Sequence, residues 1–326
     1  MILLPLGRQT NIHHVQNMKQ LRVKNTIKIK NRLLRRYQLY LFLLPTLFYF
    51  IIFHYIPMYG ATIAFKDYSP YLGILGSPWI GFEQFERFFQ SSQFWNLISN
   101  TLILSIYQLA VGFPIPIILA LLINYAAKGR FKKVIQTVTY APHFISTVVI
   151  VGMLMVFLDP QYGLVNHIIT IFTDKPILFM ADENWFTSIY VWSGIWQNAG
   201  WGTIIYLAAL SNVNPGMHEA AIVDGASKLR RIWHIDLPTI APAIVILLIL
   251  DMGSLLAVGF EKVFLMQNPL NLASSEIIST YVYKIGLQSA QFSFATAVGL
   301  FNAVINLILL LSVNRIAKKV GQASLW

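Results

Sequence analysis

Long apolar stretches alternate along the chain with short polar segments, and all of them lack charged residues except 237–266, which contains Asp251, Glu261 and Lys262. Six of these stretches are long enough to cross a bilayer, which takes about 20 mostly apolar residues in a helix. They are residues 37–65, 97–123, 134–158, 184–217, 237–266 and 285–314. Segments such as 145–158 and 241–250 are apolar on all sides, whereas a core helix of a soluble protein keeps a polar face. The pattern predicts an all-α polytopic membrane protein with six transmembrane helices.

The composition points in the same direction. Of the 326 residues, 56% are hydrophobic and 11% are charged, and the mean hydropathy is +0.60. An average soluble domain has about 25% charged residues, so a soluble enzyme is disfavoured. The chain contains no cysteine, which excludes a disulfide scaffold and a thiolate zinc site.

Basic residues are distributed unevenly among the predicted loops, and this predicts the orientation. The net charge is +11, and nineteen of the 24 Lys and Arg residues lie in the amino-terminal segment, the loops after spans two and four, and the tail. Cytoplasmic loops carry such an excess, so both termini are predicted to be cytoplasmic. We divide the chain into a basic cytoplasmic segment 1–36, a six-helix transmembrane domain 37–314 and a cytoplasmic tail 315–326.

The basic segment 1–36 is interpreted as a topology anchor that also contacts membrane lipid. It precedes a long span without a small-residue cleavage site, so no signal peptide is predicted. Anionic headgroups attract clusters of Lys and Arg. No aromatic residues are interleaved for stacking on bases, so no nucleic acid is expected as a partner.

The cytoplasmic loop 211–242 has stronger structural signals than a simple connector. Asn214-Pro215 is typical of a helix start, because Asn caps and Pro suits the first helical position. Gly225 marks a tight turn, and a second helical stretch is predicted over 226–235. The loop carries three basic and three acidic residues. We interpret it as a docking element for a protein.

The same loop resembles the EAA signature of permease subunits of ATP-binding-cassette (ABC) importers. The match comprises Glu219-Ala220-Ala221, Asp224-Gly225-Ala226, Ile235, Leu237-Pro238 and Pro242, with Trp233 where Phe is more usual. The resemblance implies that this segment is the coupling helix that sits in a groove of a cytoplasmic ATPase. Glu219 would be the polar contact, Ala220, Ala221 and Ala226 would allow close packing, Gly225 would form the turn, and Asp224 would hold that turn or cap the second helix.

Further segments are similar to the carbohydrate permeases of the LplB type. They are Gly200-Trp201, 206–210, Gly259-Phe260-Glu261-Lys262-Val263, 279–282 and Ser324-Leu325-Trp326. This resemblance implies a type I ABC importer permease in a bacterial cytoplasmic membrane, transporting an oligosaccharide. The implied partners are a second permease subunit, two copies of an ABC ATPase and an extracellular solute-binding protein.

Cofactor chemistry is assigned to the partners. The sequence has no G-x-x-x-x-G-K-[ST] motif, which a P-loop needs to hold nucleotide phosphates. ATP and Mg²⁺ would therefore be used by the partner ATPase, and this chain would bind no cofactor and catalyse no reaction. His218-Glu219 begins like H-E-x-x-H, but residue 222 is Ile, so no metal site is predicted.

Polar residues within the spans are candidates for a substrate pathway. They are Asp251, Glu261, Trp196, Gln197, Asn198 and Asn302. A carboxylate in a span is costly and faces protein or water, so Asp251 can bind sugar hydroxyls, pair with a neighbouring helix, or titrate in a proton-coupled secondary transporter. Trp196 can stack on sugar or belong to an interfacial belt. The amides of Gln197, Asn198 and Asn302 can bind hydroxyls or tie helices together. An intramembrane enzyme using Asp251 with His54 or His143 is the least favoured alternative.

Overall fold

The computed structural model describes residues 37–126 and 129–319 and is helical, with no β-strand in this part of the chain. The helices are α1 (Tyr37–Phe65), α2 (Phe94–Tyr125), α3 (Gly129–Phe144), α4 (Thr147–Phe157), α5 (Leu164–Thr173), α6 (Glu183–Leu210), α7 (Pro215–Val223), α8 (Lys228–Gly253), α9 (Phe260–Met266), α10 (Ile278–Tyr283) and α11 (Phe292–Lys319). Three shorter helices are Gly73–Gly76, Glu83–Phe89 and Leu272–Ser275. The chain forms two compact units that divide between Ala61 and Thr62.

Four helices, α1, α2, α8 and α11, are long and apolar enough to cross a membrane, and α3 with α4 makes a fifth if the bent pair is one span. This confirms the predicted all-α membrane architecture. The 28-residue helix α6 is long enough to cross, but its polar residues keep it out of that group. The count of six depends on α6 and, like the cytoplasmic termini, stays a prediction. Residues 1–36 and the Ser324-Leu325-Trp326 motif lie outside the described residues.

The predicted third span, 134–158, is not one straight helix. The chain bends by 96° between α3 and α4. A 3₁₀ turn at Ala141–Phe144 ends the first helix, and the Ser146 hydroxyl caps the second by accepting from Val149 N–H at 3.4 Å. A serine cap and the proline at position 142 explain why the apolar run breaks here.

The predicted fifth span, 237–266, is interrupted between α8 and α9. Leu256 lies in this break, and its main-chain groups bond to side chains of α11. Its N–H donates to Asn306 Oδ1 at 3.0 Å, and its carbonyl accepts from Asn302 Nδ2 at 3.4 Å. An irregular backbone within an apolar span has to be satisfied by protein groups, and these two amides supply them.

The predicted sixth span, 285–314, is displaced along the sequence. A π-helical turn at Lys284–Gln288 follows α10, and Ala290 has a positive φ of 55°, so the long helix begins only at Phe292. That helix then continues to Lys319. Residue 315, the predicted start of the tail, therefore lies inside a helix.

Helix α6 is the central element of the second unit. Its first half packs into a cluster with Leu104, Val151 and Val263, and its second half into a cluster with Ala120 and Ile240. Where it crosses α3, a Cβ on Gly200 would lie 1.9 Å from the carbonyl oxygen of Thr139. Small residues permit this approach of two helix backbones, as the sequence predicts for the glycines of this span.

Asn166 on α5 is buried and holds together the segment between α4 and α6. Its amide nitrogen lies 3.0–3.1 Å from the carbonyl oxygens of Leu158, Asp159 and Ile177, and its oxygen accepts from Ile177 N–H at 2.8 Å. Removing one partner of buried main-chain groups costs about 1–3 kcal/mol. We therefore expect Asn166→Ala to lower the thermal unfolding midpoint of the purified protein. The exposed neighbour His167→Ala is the control, and equal midpoints for the two variants would contradict this assignment.

Candidate functional site

Helix α7 begins where the sequence predicts. Asn214 has extended backbone angles, and its Oδ1 accepts from Gly216 N–H at 2.9 Å, while Pro215 occupies the first helical position. These are the features of a capped helix start. The local sequence therefore fixes the entry of the loop into α7.

The exit from α7 is a Schellman turn centred on Gly225. The Ala226 N–H donates to the Ala221 carbonyl at 2.8 Å, and the Gly225 N–H donates to the Ile222 carbonyl at 3.0 Å. Gly225 has a φ of +75°, which glycine adopts without strain. The EAA signature thus encodes a defined turn, because Ala221 and Gly225 occupy the positions that this turn requires.

The segment after the turn differs from the predicted separate helix 226–235. Ser227, rather than Asp224, caps it by accepting from Arg230 N–H at 3.4 Å. The helix then passes through a π-helical turn at Ile232–Asp236 and continues without a break as α8. Pro238 cannot donate to the preceding turn, and a π-helical turn accommodates such a mismatch. Leu237 and Pro238 consequently lie inside the long helix α8 rather than at the end of a short one.

The outward surface of α7 and its turn combines two acidic side chains with apolar ones. Glu219, Ala220, Asp224 and Gly225 are exposed. The large exposed apolar side chains of the segment are Met217, Ile222, Val223, Leu229 and Trp233. On the opposite side, Ala221 packs against the buried cluster of α2, α6 and α8. The packing of Ala221 thus attaches the segment to the helical bundle. The other side of the segment exposes an apolar surface of the kind that marks protein contacts.

A cavity of about 550 Å³ lies among α2, α6 and α8 within the second unit. Its polar lining consists of Ser105, Gln108, Thr147, Tyr190, Gln197, Asn198, Tyr206, Asp251, Ser254 and Lys262. Asp251 and Lys262 are the charged members of this lining. A cavity rich in amides and hydroxyls, with one charge of each sign, suits a ligand with many hydroxyl groups.

Three of the predicted pathway residues line this cavity, namely Gln197, Asn198 and Asp251. The two amides also hold the bend between α3 and α4, since Gln197 Nε2 donates to the Ile145 carbonyl at 2.9 Å and Asn198 Oδ1 lies 3.0 Å from His143 Nδ1. Both of the interpretations left open for amides, contact with the cavity and tying of helices, therefore apply to them.

The other three predicted residues lie outside the cavity lining. Asn302 donates to the break between α8 and α9, so it ties helices together. Trp196 is 52% exposed and Glu261 is exposed on α9. Their substrate roles stay predictions.

Lys262 is a cavity residue that the candidate set from the sequence did not include. It is 8% exposed, and its Nζ donates to the Tyr190 carbonyl at 2.9 Å and lies 4.9 Å from the centre of the Tyr190 ring. Within the described ranges, no carboxylate forms an ion pair with it. Consecutive residues of a helix differ by about 100° in direction, which explains why Lys262 faces the cavity and Glu261 does not.

Metal binding finds no support in the described part of the chain. No group of three or more His, Asp or Glu side chains is placed there to hold a metal ion.

Comparisons with known proteins agree on one family. Residues 112–322 match the family described as "Binding-protein-dependent transport system inner membrane component". The polygalacturonan/rhamnogalacturonan transport system permease protein YteP of Bacillus subtilis is 48% identical over 90% of this chain and 92% of its own length. The protein LplB of the same organism is 48% identical over 88% of this chain and 91% of its own length.

A solved structure shows the same architecture. A chain from the crystal structure of a bacterial ABC transporter involved in the import of the acidic polysaccharide alginate superimposes with a TM-score of 0.84. It is 42% identical, and the match covers 90% of this chain and 99% of that one. A second structure of the alginate transporter, in complex with an alginate pentasaccharide-bound periplasmic protein, matches with the same TM-score at 41% identity.

Proposed function

Because this chain belongs to the family of binding-protein-dependent transport system inner membrane components, we propose that it carries an oligosaccharide across the bacterial cytoplasmic membrane. It is the permease subunit of an ABC importer and not an enzyme. The observation that carries the proposed cargo is the cavity among α2, α6 and α8, which is lined by amides, hydroxyls and two opposite charges.

The cavity supports an acidic oligosaccharide in particular. Lys262 brings a buried positive charge that has no carboxylate partner among the described side chains, and a buried charge is costly unless it is paired. A carboxylate of a uronic acid unit would compensate it during passage. Asp251, Gln197 and Asn198 would bind hydroxyl groups. The transport of polygalacturonan by one relative and of acidic alginate by another agrees with this proposal.

The remaining subunits are proposed from the exposed surface of α7 and from the family to which the chain belongs. The exposed surface of α7 and its turn, with Glu219, Ala220 and Gly225, would sit in a groove of an ABC ATPase, of which two copies hydrolyse ATP with Mg²⁺. A second, similar permease chain would complete the membrane pathway, and an extracellular solute-binding protein would deliver the sugar.

Transport would proceed by alternating access. Closure of the two ATPases on ATP would move α7 and, through the continuous segment into α8, change which side of the membrane the cavity faces. The work of this chain is to stabilise inward-open and outward-open states differently, and bound sugar shifts the equilibrium between them.

Reconstitution tests the proposal. The chain, its partner permease and the ATPase are placed in proteoliposomes with the binding protein and a radiolabelled galacturonate pentasaccharide. We expect uptake that requires ATP on the ATPase side. Uptake without ATPase subunits, driven by a proton gradient and abolished by Asp251→Asn, would instead establish the secondary-transporter alternative.

Lys262→Gln is expected to reduce uptake of the acidic pentasaccharide about tenfold or more, because a hydrogen bond to a charged group contributes about 1.5–3 kcal/mol and 1.4 kcal/mol corresponds to a factor of ten. The glutamine amide still reaches toward the Tyr190 carbonyl, so folding should survive. Uptake of a neutral pentasaccharide, where it occurs, should not fall.

Lys284→Gln is the matched control. Lys284 lies outside the cavity lining, and its Nζ is 2.7 Å from Glu276 Oε1. Equal uptake of the acidic sugar by the Lys262 and Lys284 variants would remove Lys262 from the pathway.

A further inference from the structure

The carboxylate of Asp236 lies at a junction of three helices. It is fully buried, at 0% exposure. Its Oδ2 accepts from the Tyr125 hydroxyl at 2.5 Å, and its Oδ1 lies 3.2 Å from His218 Nε2. Tyr125 is at the end of α2, His218 is on α7, and Asp236 closes the π-helical turn of α8.

Two further side chains lie against Tyr125 at this junction. The Arg231 guanidinium lies 5.7 Å from the centre of the Tyr125 ring, and the His218 ring meets the same tyrosine edge-on with the centroids 6.2 Å apart. The junction therefore combines one carboxylate, one hydroxyl, one imidazole and one guanidinium. A buried carboxylate that loses a partner is strongly destabilising, so the junction holds the three helices at one point.

Apolar packing alone would already attach α7 to the bundle. Ala221 packs against the buried cluster formed by Leu121, Leu210, Ile235 and Ile240. Apolar contacts, however, allow one surface to slide over another, whereas the hydrogen bond from Tyr125, with His218 Nε2 close to the other carboxylate oxygen, fixes the position of Asp236. The Asp236 junction adds this directional constraint, and it does so beside the surface that faces the proposed ATPase.

We propose that Asp236, with Tyr125 and His218, is a positioning group that makes α7 move as one body with the end of α2 and the start of α8. The proposal rests on the proposed function, because it concerns how movement at α7 reaches the cavity. Loss of the junction would leave ATP binding and hydrolysis intact and would disconnect them from transport. The three residues lie outside the cavity lining, and they act through the helices that they join.

Three variants test the junction in the reconstituted transporter. Asp236→Asn keeps the shape of the side chain, Tyr125→Phe removes only the hydroxyl, and His218→Gln removes the imidazole. In each variant we expect the number of ATP molecules hydrolysed per sugar transported to rise about fivefold or more. A factor of about five is the lower end of the range over which two sites in a protein are typically coupled. Tyr125→Phe still tests the junction when substitution of the fully buried Asp236 prevents folding. Asp174→Asn, at an exposed position with a φ of 55° that asparagine tolerates, is the control with an unchanged ratio.

A distance measurement separates positioning from a merely structural role. Spin labels at Val223 on α7 and Leu122 on α2, both exposed, should give one narrow distance by pulsed electron paramagnetic resonance. The distribution should broaden in the three variants and stay narrow in the control. A lower unfolding midpoint with an unchanged ATP-to-sugar ratio and a narrow distribution would overturn the proposal. If the unsubstituted transporter shows no ATP-dependent uptake, the proposed function fails instead, and the distance measurement alone then tests the junction.

Discussion

Glu219→Lys is expected to abolish ATP-dependent uptake while leaving the amount of membrane-inserted protein unchanged. Glu219 is exposed on α7, and a surface substitution of this kind changes stability by about 0.5 kcal/mol or less. At the proposed interface with the ATPase, reversal of its charge would place like charges together, which costs several kcal/mol. The measurement is sugar uptake in proteoliposomes, together with co-purification of the ATPase.

Glu86→Lys is the matched control for this charge reversal. Glu86 is also exposed on a helix, Glu83–Phe89, and lies far along the sequence from the loop 211–242 that contains α7. It should leave both uptake and ATPase co-purification intact. Normal transport by the Glu219 variant, with the ATPase still attached, would show that this side chain has no part in coupling.

Gly200→Ala is expected to lower the thermal unfolding midpoint strongly and to reduce the yield of folded protein. The added methyl group would meet the Thr139 carbonyl oxygen at 1.9 Å and its carbonyl carbon at 2.4 Å. Backbone atoms cannot rotate away as a side chain does, so α3 and α6 have to separate. Overpacking of this kind costs about 1–3 kcal/mol and sometimes more. The measurement is thermal unfolding of the purified protein in detergent.

Gly299→Ala serves as the control for the same substitution. Gly299 lies inside the long helix α11, and a Cβ there would meet nothing within 4 Å. Alanine favours a helix over glycine by about 0.8–1 kcal/mol, so this variant should match or exceed the unsubstituted midpoint. Similar midpoints for the two variants would mean that α3 and α6 do not cross closely at Gly200.

Local signals in the sequence predicted the structure of the coupling segment well. The cap at Asn214 and the turn at Gly225 depend on residues within a few positions of each other, and both are confirmed. The end of the second helix was predicted wrongly at Leu237-Pro238, because a proline normally ends a helix. The π-helical turn that carries the helix past Pro238 has no sequence signal comparable to a cap or a glycine.

Contacts between distant residues could not be predicted in this way. Tyr125 and Asp236 are separated by 111 positions, and the packing of α2 and α8 with α6 in one cluster brings them together. Lys262 was seen in the sequence as a neighbour of Glu261 near the end of a span, and the rotation of α9 decides which of the two faces the cavity. That rotation is set by buried neighbours such as Val263 and Met266, whose apolar spacing was the available signal.

The break between α8 and α9 divides this part of the cavity wall into two helices. Leu256 bonds there to Asn302 and Asn306 on α11 instead of to a helical turn, so the hydrogen-bond ladder of α8 does not continue into α9. Asp236 lies on α8, before the break, and Lys262 lies after the break, on α9. Under the proposed coupling, a displacement at α7 would move the part of the cavity wall on α8, which includes Asp251, separately from Lys262 on α9.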